Sequence, residues 1–322
     1  MLMDKRKKRI EQFKSLVRAF ADPCEGTIYH YTSAEGLRGI VENHEIWLTN
    51  TVFVNDTTEC KALKNEEDLF AENEFTNSFV REQWECFRSH PETANNTYIA
   101  SFSRDKESLD QWRAYGNFCI GFEASELARR GFNLYECVYH SEKIKSWILE
   151  KEEVKEWAGD CLKESSKKAA AFVLLHAARM KYKSQHYEKE KEVRLIAISN
   201  HTWKVWFDNE SDYPYSMFKD DPPIHFRDHP VYRVPIPYVK LILLDKKSEE
   251  NRQEEEESAI QMKGRKLEEE RSCKKRLLPI KEIQIGPMLH QEEAKVACEI
   301  LLHEKGYRNV QVDTSKIPYR GF

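Results

Sequence analysis

The stretch YEKEKEVRLIAIS carries glutamates and an arginine at every second position near its start and is apolar further on. In an extended chain alternate residues face the same side, so the glutamates and the arginine of this stretch would share one face of a strand. They are Glu188, Glu190, Glu192 and Arg194. Three carboxylates on one face repel each other unless they meet solvent, a cation or a reacting centre. The structural alternative is a charged strand edge that discourages aggregation.

A second polar group closes an otherwise apolar strand. His30, Tyr31 and Thr32 end the stretch TIYHYT, and a helical pattern begins directly after them. An imidazole and hydroxyl groups at a strand end can hydrogen-bond a ligand. The alternative is a core histidine whose ring is satisfied by a backbone carbonyl group.

The third group lies in the stretch SFSRDKESLDQWRAYGN, which begins at Ser101. Ser101 and Ser103 alternate on a predicted strand, so both hydroxyl groups face one side. Trp112 and Tyr115 lie three residues apart on the helix that follows, on neighbouring positions of one face. Two aromatic rings in this arrangement could enclose a flat apolar ligand, or they could belong to the core.

Hydrophobic periodicity predicts the elements that would position these residues. Predicted strands cover 27–32, 46–49, 97–103, 118–123, 134–140, 192–199, 223–235, 239–245, 279–287 and 309–315, and predicted helices cover 5–20, 57–72, 75–89, 106–115, 142–182 and 290–305. This order mixes hairpin-like strand pairs with inserted helices and lacks the steady alternation of a parallel sheet. We therefore predict a single α+β domain over residues 1–322, with a split, mainly antiparallel sheet.

Composition and the absence of several motifs narrow the class of protein. The apolar fraction of 40% allows a sizeable core, and the net charge of −4 gives no general signal for binding polyanions. The eight cysteines form no C-x-x-C pair and never cluster with histidine at ligand spacing, so we predict a cytoplasmic protein with unpaired thiols and no metal. No apolar run approaches ~18 residues, which predicts no membrane partner. Rossmann, P-loop and G-x-S-x-G motifs are absent.

Two segments differ from the rest of the chain. Residues 1–26 contain a predicted amphipathic helix, and the basic cluster Lys5–Arg9 at its start is more typical of a solvated helix end than of a nucleic-acid or lipid contact. Lys246–Arg276 carries 19 charged residues out of 31 and interrupts two predicted strands. We predict that 246–276 is a disordered or loosely helical insertion. The functional alternative is a helix that binds a partner protein.

Six short motifs, in order along the chain, carry a resemblance to a known family. They are YHYTS, FVND with a glutamate three residues after the aspartate, SFS with the tryptophan and tyrosine that follow, EKEVR, IQIGP and TSKIPYR. Together they resemble a large bacterial family catalogued as a domain of unknown function, over about residues 27–320 without the charged insertion. That family in turn looks like the ADP-ribosyltransferase superfamily. The resemblance implies an ADP-ribosyltransferase-like split sheet and NAD as co-substrate.

The resemblance also implies roles for individual residues. The superfamily carries a histidine or arginine on its first strand, a serine or tyrosine on the second and a glutamate on a later one. His30 matches the first member, Ser101 and Ser103 resemble the serines of one branch, and Tyr115 resembles the stacking tyrosine of the other. The implied catalytic residues are Glu192, Glu190 and His30, and the implied NAD-binding residues are His30, Tyr31, Thr32, Ser101, Ser103, Trp112, Tyr115 and Arg194. Features of both branches occur together, and Glu188 leaves the register of the glutamates open, although Arg194 favours Glu192 as the catalytic one.

The implied reaction breaks the nicotinamide–ribose bond of NAD and transfers ADP-ribose to an acceptor; plain NAD hydrolysis is the alternative, and Glu190, two residues before Glu192, favours transfer. Nicotinamide leaves as a neutral group, so the site needs a carboxylate near the oxocarbenium-like ribose rather than a strong acid. A protein, a nucleic acid and a small molecule all stay open as acceptor, and a role as a bacterial toxin or anti-phage defence effector is an expectation by analogy. The alternatives are a non-catalytic nucleotide-binding domain of the same fold and a module that binds nucleic acid or protein. In the transferase, we expect His30, one of the two serines, Tyr115 and Glu192 to converge on one pocket.

Deleting the charged insertion tests the domain prediction. Because its composition cannot bury enough apolar area to offset the entropy of ordering, replacing Ser248–Lys274 by a short Gly/Ser linker should leave the fold intact. Thermal unfolding of both proteins measures this. A decrease in Tm of more than roughly 5 °C, which corresponds to more than roughly 1 kcal/mol, would show that the segment packs on the body of the protein.

Overall fold

The structure is a computed structural model, and it describes residues 20–56, 62–65, 69–70, 75, 78–89, 97–129, 133–159, 164–198, 223–229, 233–243 and 276–318. The strands in these residues are β1 (Thr27–Thr32), β2 (Glu45–Asn50), β3 (Thr97–Ser103), β4 (Phe118–Glu123), β5 (Leu134–Glu136), β6 (Glu192–Ile198), β7 (Ile224–Asp228), β8 (Pro235–Ile242), β9 (Ile280–Ile285) and β10 (Gln311–Thr314). The helices are α1 (Ala34–Asn43), α2 (Ser78–Ser89), α3 (Leu109–Tyr115), α4 (Ala124–Arg129), α5 (Ser141–Gly159), α6 (Glu164–Lys181) and α7 (Gln291–Glu304). Short 3-10 helices cover Thr51–Phe53, Ala62–Asn65 and Gln185–Glu190.

All ten strands belong to one sheet. Its main path runs β10-β9-β4-β1-β3-β2-β8-β7, and β6 joins β3 and carries β5 on its other side. Every strand pair in the described sheet is antiparallel except β9 and β10. The prediction of an α+β protein with a mainly antiparallel sheet is therefore confirmed.

The sheet divides at β3. One edge of β3 pairs with β6 along its whole length, from Thr97 opposite Ile198 to Ser103 opposite Glu192. The other edge is shared by two strands, because β1 pairs with it at Ser103 and β2 pairs with it at the opposite end, at Tyr98 and Ile99. Between these contacts β1 and β2 diverge. We call this position the fork.

The two faces of the sheet differ in character. Directly opposed residues of paired strands point to the same side, so the register assigns each side chain to a face. The core face is apolar, and it packs with Leu37 and Val41 of α1 and with Cys298 and Leu302 of α7. Its strand residues include Ile28, Ala100, Phe102, Ile120, Phe122, Val193 and Leu195. The opposite face, called the site face here, carries the polar residues of β3 and β6.

Helix α1 illustrates how the local sequence sets these elements. The Ser33 side chain accepts a hydrogen bond from the backbone N–H of Gly36 and so caps the first turn. Leu37, Ile40 and Val41 follow at helical spacing and are buried against the core face. The helix ends at His44, whose φ of 53° is left-handed.

Several predicted boundaries are corrected. The helical pattern over 142–182 is two helices, α5 and α6. The strand predicted over 134–140 ends at Glu136, because Val138 leaves β6 and forms a parallel bridge with Tyr182 at the end of α6. Helix α3 starts at Leu109 rather than 106, because the Asp105 side chain accepts from the backbone N–H of Glu107 and fixes a turn there.

Some sequence predictions concern residues outside the described ranges. The predicted N-terminal helix lies outside them except for its last residue, Phe20, which is buried and contacts the Trp147 ring edge-on. The charged insertion lies outside them except for Arg276, and most of the helix predicted over 57–72 does so too. Within the described part of the chain, no helix is long and apolar enough to cross a membrane.

The glycine of the IQIGP motif tests how α3 is packed. A Cβ atom added at Gly286 would lie 2.7–3.1 Å from three atoms of the buried Trp112 indole, whereas one added at Gly39 meets nothing within 4 Å. Gly286→Ala should therefore destabilise the fold by about 1–3 kcal/mol through overpacking. Gly39→Ala, inside α1, should stabilise it by about 0.5–1 kcal/mol. Chemical denaturation measures both, and equal effects of the two substitutions would contradict this packing.

Candidate functional site

His30 lies at the fork. Its Nδ1 atom is 2.9 Å from the carbonyl oxygen of Ser101, and its ring contacts Phe102. Because a carbonyl oxygen only accepts, Nδ1 must carry the proton. Burial lowers the pKa of His30 from its ordinary value, so the ring is neutral at pH 7. Its Nε2 atom is then an acceptor, and it would accept a ligand hydroxyl proton rather than donate one.

A buried charge cluster occupies the start of β6. The Lys183 ammonium group is 2.7 Å from a carboxylate oxygen of Glu190 and 2.7 Å from Glu192 Oε2. The same Oε2 atom accepts from Arg194 at 3.1 Å, and the Cys137 thiol is 3.5 Å away. We call Lys183, Glu190, Glu192 and Arg194 the Lys183 cluster. Its two carboxylates and two cations balance in charge.

Glu192 is ionised in this cluster. Burial alone would raise its pKa, but the positive charges and hydrogen bonds of Arg194 and Lys183 outweigh burial and hold the pKa well below its ordinary value. Its other oxygen, Oε1, is buried and has no hydrogen-bond donor among the described residues. An ionised oxygen without a donor costs free energy in a dry site, so a ligand hydroxyl group or a water molecule at this position would stabilise it.

The backbone at the entry to β6 is fixed from three directions. The Ser103 hydroxyl donates to the carbonyl oxygen of Glu190 at 2.7 Å, and the backbone N–H of Arg104 donates to Lys191. The backbone N–H of Glu192 donates to the Tyr139 hydroxyl at 2.7 Å. Lys191 has a left-handed φ of 45°, which ends the 3-10 helix and turns the chain into the strand. Ser103 is thus a buried positioning residue.

Tyr115 provides the exposed aromatic ring of the site. It ends α3 with 40% of its surface exposed, and the Asn55 side chain of the FVND motif lies near its hydroxyl group. Burial of the hydroxyl group and the nearby charge of Glu190 raise its pKa, so the phenol is neutral. Lys183 and Glu192 also lie within electrostatic range of this hydroxyl group. Tyr115 therefore lies beside the Lys183 cluster.

The expectation that Trp112 and Tyr115 enclose a flat ligand is wrong. Trp112 is buried and meets the Tyr31 ring edge-on, with centroids 4.6 Å apart, and both pack on Cys119. The Tyr31 hydroxyl donates to the carbonyl oxygen of Asp105 and accepts from the backbone N–H of Ser108. Tyr31 and Trp112 thus form a small core that holds α3. Both rings are large and mostly apolar, so they are buried here rather than left open to a ligand.

The predicted pocket of His30 and Glu192 does not form, because the two residues lie on opposite faces of the sheet, and this counts against the transferase prediction. Tyr29 opposes Ser103, and Ser103 opposes Glu192, so the three share the site face. His30, the next residue of β1, alternates to the core face together with Thr32. Its ring reaches the sheet plane only through the fork, at the Ser101 carbonyl group. The site face instead collects the serines of β3 with Glu192 and Arg194.

The glutamates do not all share one face of a strand, as their spacing predicted. Glu188 and Glu190 belong to the 3-10 helix, and only Glu192 and Arg194 lie on β6. Glu188 points to His140, at 3.0 Å. Arg194, predicted to bind NAD, is fully buried and donates to the carbonyl oxygen of Met180 at the end of α6. It positions Glu192 and offers no surface to a ligand.

Four residues of the site were missed in the sequence. They are Lys183, Cys137, Tyr139 and Asn55. For Lys183 a signal existed, because a lysine after a long apolar helix and before three glutamates is a natural ion-pair partner. Cys137 and Tyr139 gave none, since their side chains reach Glu192 only because the chain leaves β5 early.

The one cavity described near this site lies behind Cys137. It has a volume of about 520 Å³, lies between β5 and α5, and is lined by charged residues including the Asp22–Lys181 ion pair. None of the predicted site residues lines it. Within the described part of the chain, no group of histidine, cysteine and acidic residues could hold a metal ion.

Comparison of the chain with protein-family models, with curated proteins and with solved structures finds no match. The resemblance to the ADP-ribosyltransferase superfamily therefore stays a prediction that depends on the short motifs.

Replacing Glu192 by glutamine tests the charge cluster. The substitution leaves two buried cations with one carboxylate, so it should destabilise the fold at pH 7 by about 3–5 kcal/mol. Because the folded pKa is depressed, the carboxylate stabilises the fold above its ordinary pKa of 4.5 and loses this effect as the pH falls below it. The difference in Tm between wild type and Glu192→Gln should therefore become smaller as the pH falls below 4.5.

Glu188→Gln is the matched control, because Glu188 lies four residues away in an exposed pair with His140. It should change stability by less than about 0.5 kcal/mol. A pH-independent Tm difference for Glu192→Gln would contradict an ionised Glu192.

Proposed function

We propose that the protein is an NAD-consuming enzyme of the ADP-ribosyltransferase type, which cleaves the nicotinamide–ribose bond and transfers ADP-ribose to an acceptor. The observation that carries the proposal is Glu192 Oε1, a buried oxygen of an ionised carboxylate without a donor among the described residues; the Tyr115 hydroxyl group lies within electrostatic range of Glu192. A ribose hydroxyl group is a suitable donor for such an oxygen, and a nicotinamide ring is a suitable partner for the tyrosine.

The arrangement of strands gives further support. The strands that carry the histidine, the serines and the glutamate are direct neighbours, in the order β1, β3, β6. Their sequence separations are large, so this adjacency does not follow from local structure. It agrees with the order of motifs that the resemblance implies.

The two glutamates take different roles in the proposed reaction. Glu192 accepts from the ribose and places negative charge near the sugar as it becomes cationic. Glu190 is more accessible, with 24% of its side chain exposed compared with 3% for Glu192, and it faces the acceptor. Lys183 and Arg194 balance the formal charge of the two carboxylates, and their main effect is to keep Glu192 ionised and in a fixed orientation.

His30 acts on the backbone in this proposal. Its Nδ1–H donates to the Ser101 carbonyl group, and because its side chain lies on the face of the sheet opposite Glu192, it holds the fork rather than contacting the ribose. Tyr31, Ser103, Trp112 and Arg194 serve the site indirectly, by holding the strands and α3 that carry the ligand-facing residues.

Nicotinamide release and label transfer test the proposal together. We expect wild type, incubated with labelled NAD and cell lysate, to release nicotinamide and to label an acceptor. Glu192→Gln should lower nicotinamide release by a factor on the order of 10²–10⁴, measured where the variant is still folded. Glu190→Gln should spare release and impair transfer, whereas Glu188→Gln should change neither.

Substitutions of Tyr115 test NAD binding independently, because they leave the buried charges intact. Tyr115→Ala should weaken NAD binding by ~1 kcal/mol or somewhat more, while Tyr115→Phe keeps the ring and should bind nearly as wild type. The proposal is overturned if folded wild type releases no nicotinamide from NAD with any lysate. Full turnover by Glu192→Gln would overturn the assignment of that residue.

A non-catalytic binding role is the second candidate. One observation favours it, namely that the Lys183 cluster is neutral overall and so provides less charge for a cationic transition state than an isolated carboxylate would. Binding of NAD without release of nicotinamide would favour this role.

A further inference from the structure

A second group of aromatic and cationic side chains lies on the site face, away from Tyr115. It is formed by β2, β8 and β7, where Trp47 opposes Lys240, Thr49 opposes Tyr238, and Tyr238 opposes His225. Arg227 follows two residues after His225 and so shares this face. We call Trp47, Tyr238, Arg227 and Lys240 the Trp47 surface.

Trp47 is held by its neighbours and stays partly exposed. Its indole stacks on Tyr238 with centroids 4.4 Å apart and an interplanar angle of 28°. Its Nε1–H donates to a carboxylate oxygen of Glu45 at 2.7 Å. The residue nevertheless keeps 37% of its surface exposed, although Glu45 is buried. Because this partly exposed indole is already ordered, little conformational entropy is lost when a flat ring stacks on it.

Two cations border the indole. The Arg227 guanidinium group lies 5.8 Å from the Trp47 ring centroid and 5.9 Å from that of Tyr238, and Lys240 Nζ lies 5.6 Å from Trp47. The ammonium group of Lys240 is paired with Glu45. Arg227 is exposed, and within the described residues its hydrogen bond is to the Thr49 hydroxyl at 2.9 Å rather than to a carboxylate.

This surface has the charge of a phosphate-binding site. The carboxylate in contact with it, Glu45, is buried and already binds Trp47 and Lys240, so the exposed charge beside the indole is positive. The guanidinium group of Arg227 has five N–H donors, and one of them donates to Thr49. Other donors of the same group can bind an anion.

We infer that the Trp47 surface binds single-stranded nucleic acid, with a base stacked on Trp47 and a phosphate group held by Arg227. Proteins that bind single strands combine aromatic platforms with positive charge along the backbone path. A duplex hides its base faces and could not use the exposed indole. This inference goes beyond the proposed function, because it requires neither NAD nor its turnover.

The position of the surface in the sheet adds to the inference. Thr49 opposes Ile99 on β3, and Ser101 lies two residues further along the same face. The Trp47 surface and the serines of the candidate site are thus on one side of the sheet, on neighbouring strands. A bound strand that extends from Trp47 along this face would run toward the fork.

Fluorescence anisotropy tests the inference in the absence of NAD. The probes are fluorescein-labelled oligo-dT and oligo-U of about 20 nucleotides, titrated with the full-length chain at several salt concentrations. Wild type should bind saturably, and unlabelled single strands should compete better than a duplex of the same length. Trp47→Ala should weaken binding by a factor on the order of 5 to 150, equivalent to about 1–3 kcal/mol.

Arg227→Gln provides an arm that does not disturb the aromatic stack. It should weaken binding and reduce the slope of log affinity against log salt by about 0.7, the value for one lost phosphate contact. Phe226→Ala and Arg38→Gln are controls, because Phe226 is exposed on the other face of β7 and Arg38 is exposed on α1. Both should bind as wild type.

The inference is overturned if folded wild type binds neither probe, or if folded Arg227→Gln binds with wild-type affinity and salt slope. Because the assay contains no NAD, neither result bears on nicotinamide release, and failure of the proposed function would leave this binding unaffected.

Discussion

The position of Lys183 between two carboxylates is the interaction on which the rest of the site depends. It joins the end of α6 to the start of β6, and Arg194 makes a second link from β6 back to α6 through Met180. Burying Lys183, Glu192 and Arg194 almost completely and Glu190 in part carries a large desolvation cost, which is offset only because each charge has an opposite partner at close range. The geometry of Glu192 is therefore set by two cations at once. The exposed Tyr115 and the half-buried carboxylate of Glu190 form the more accessible part of the site beside this fixed centre.

The fork gives the same region its second property. A continuous ladder between β1 and β3 would leave no free backbone groups, but the two strands separate beyond Ser103. His30 compensates by donating to the Ser101 carbonyl group, so the polar strand end noted in the sequence completes a sheet that divides. A histidine performs this task because its ring is long enough to reach across the gap and its other nitrogen keeps an acceptor for a ligand.

The sequence predicted the elements better than their relation to one another. Period-two patterns located β1, β3, β4 and β6 within a residue or two, because alternation of apolar and polar residues reports burial of one face. The same patterns could not tell which strands pair, so they could not show that His30 and Glu192 alternate to opposite faces. Trp112 looked like a ligand platform because composition does not distinguish a ring that packs on a glycine from one that faces a cleft. Arg194 and Ser103 were located correctly near the glutamates, but their burial depends on α6 and on the turn at Lys191.

The single residue pair between β1 and β3 has a consequence for the cooperativity of the fold. The half of the sheet formed by β1, β4, β9 and β10 meets β3 through one ladder position, Tyr29 opposite Ser103. What joins the halves is mainly the apolar layer beneath, where Phe102 of β3 packs edge-on against Phe122 of β4 and alongside the His30 ring. Side-chain packing tolerates small rotations that a backbone ladder would resist, and a single ladder position is all the backbone pairing that keeps β1 aligned with β3. Amide hydrogen exchange in β1 and β3 beside the joint would therefore measure whether the two halves separate locally before global unfolding.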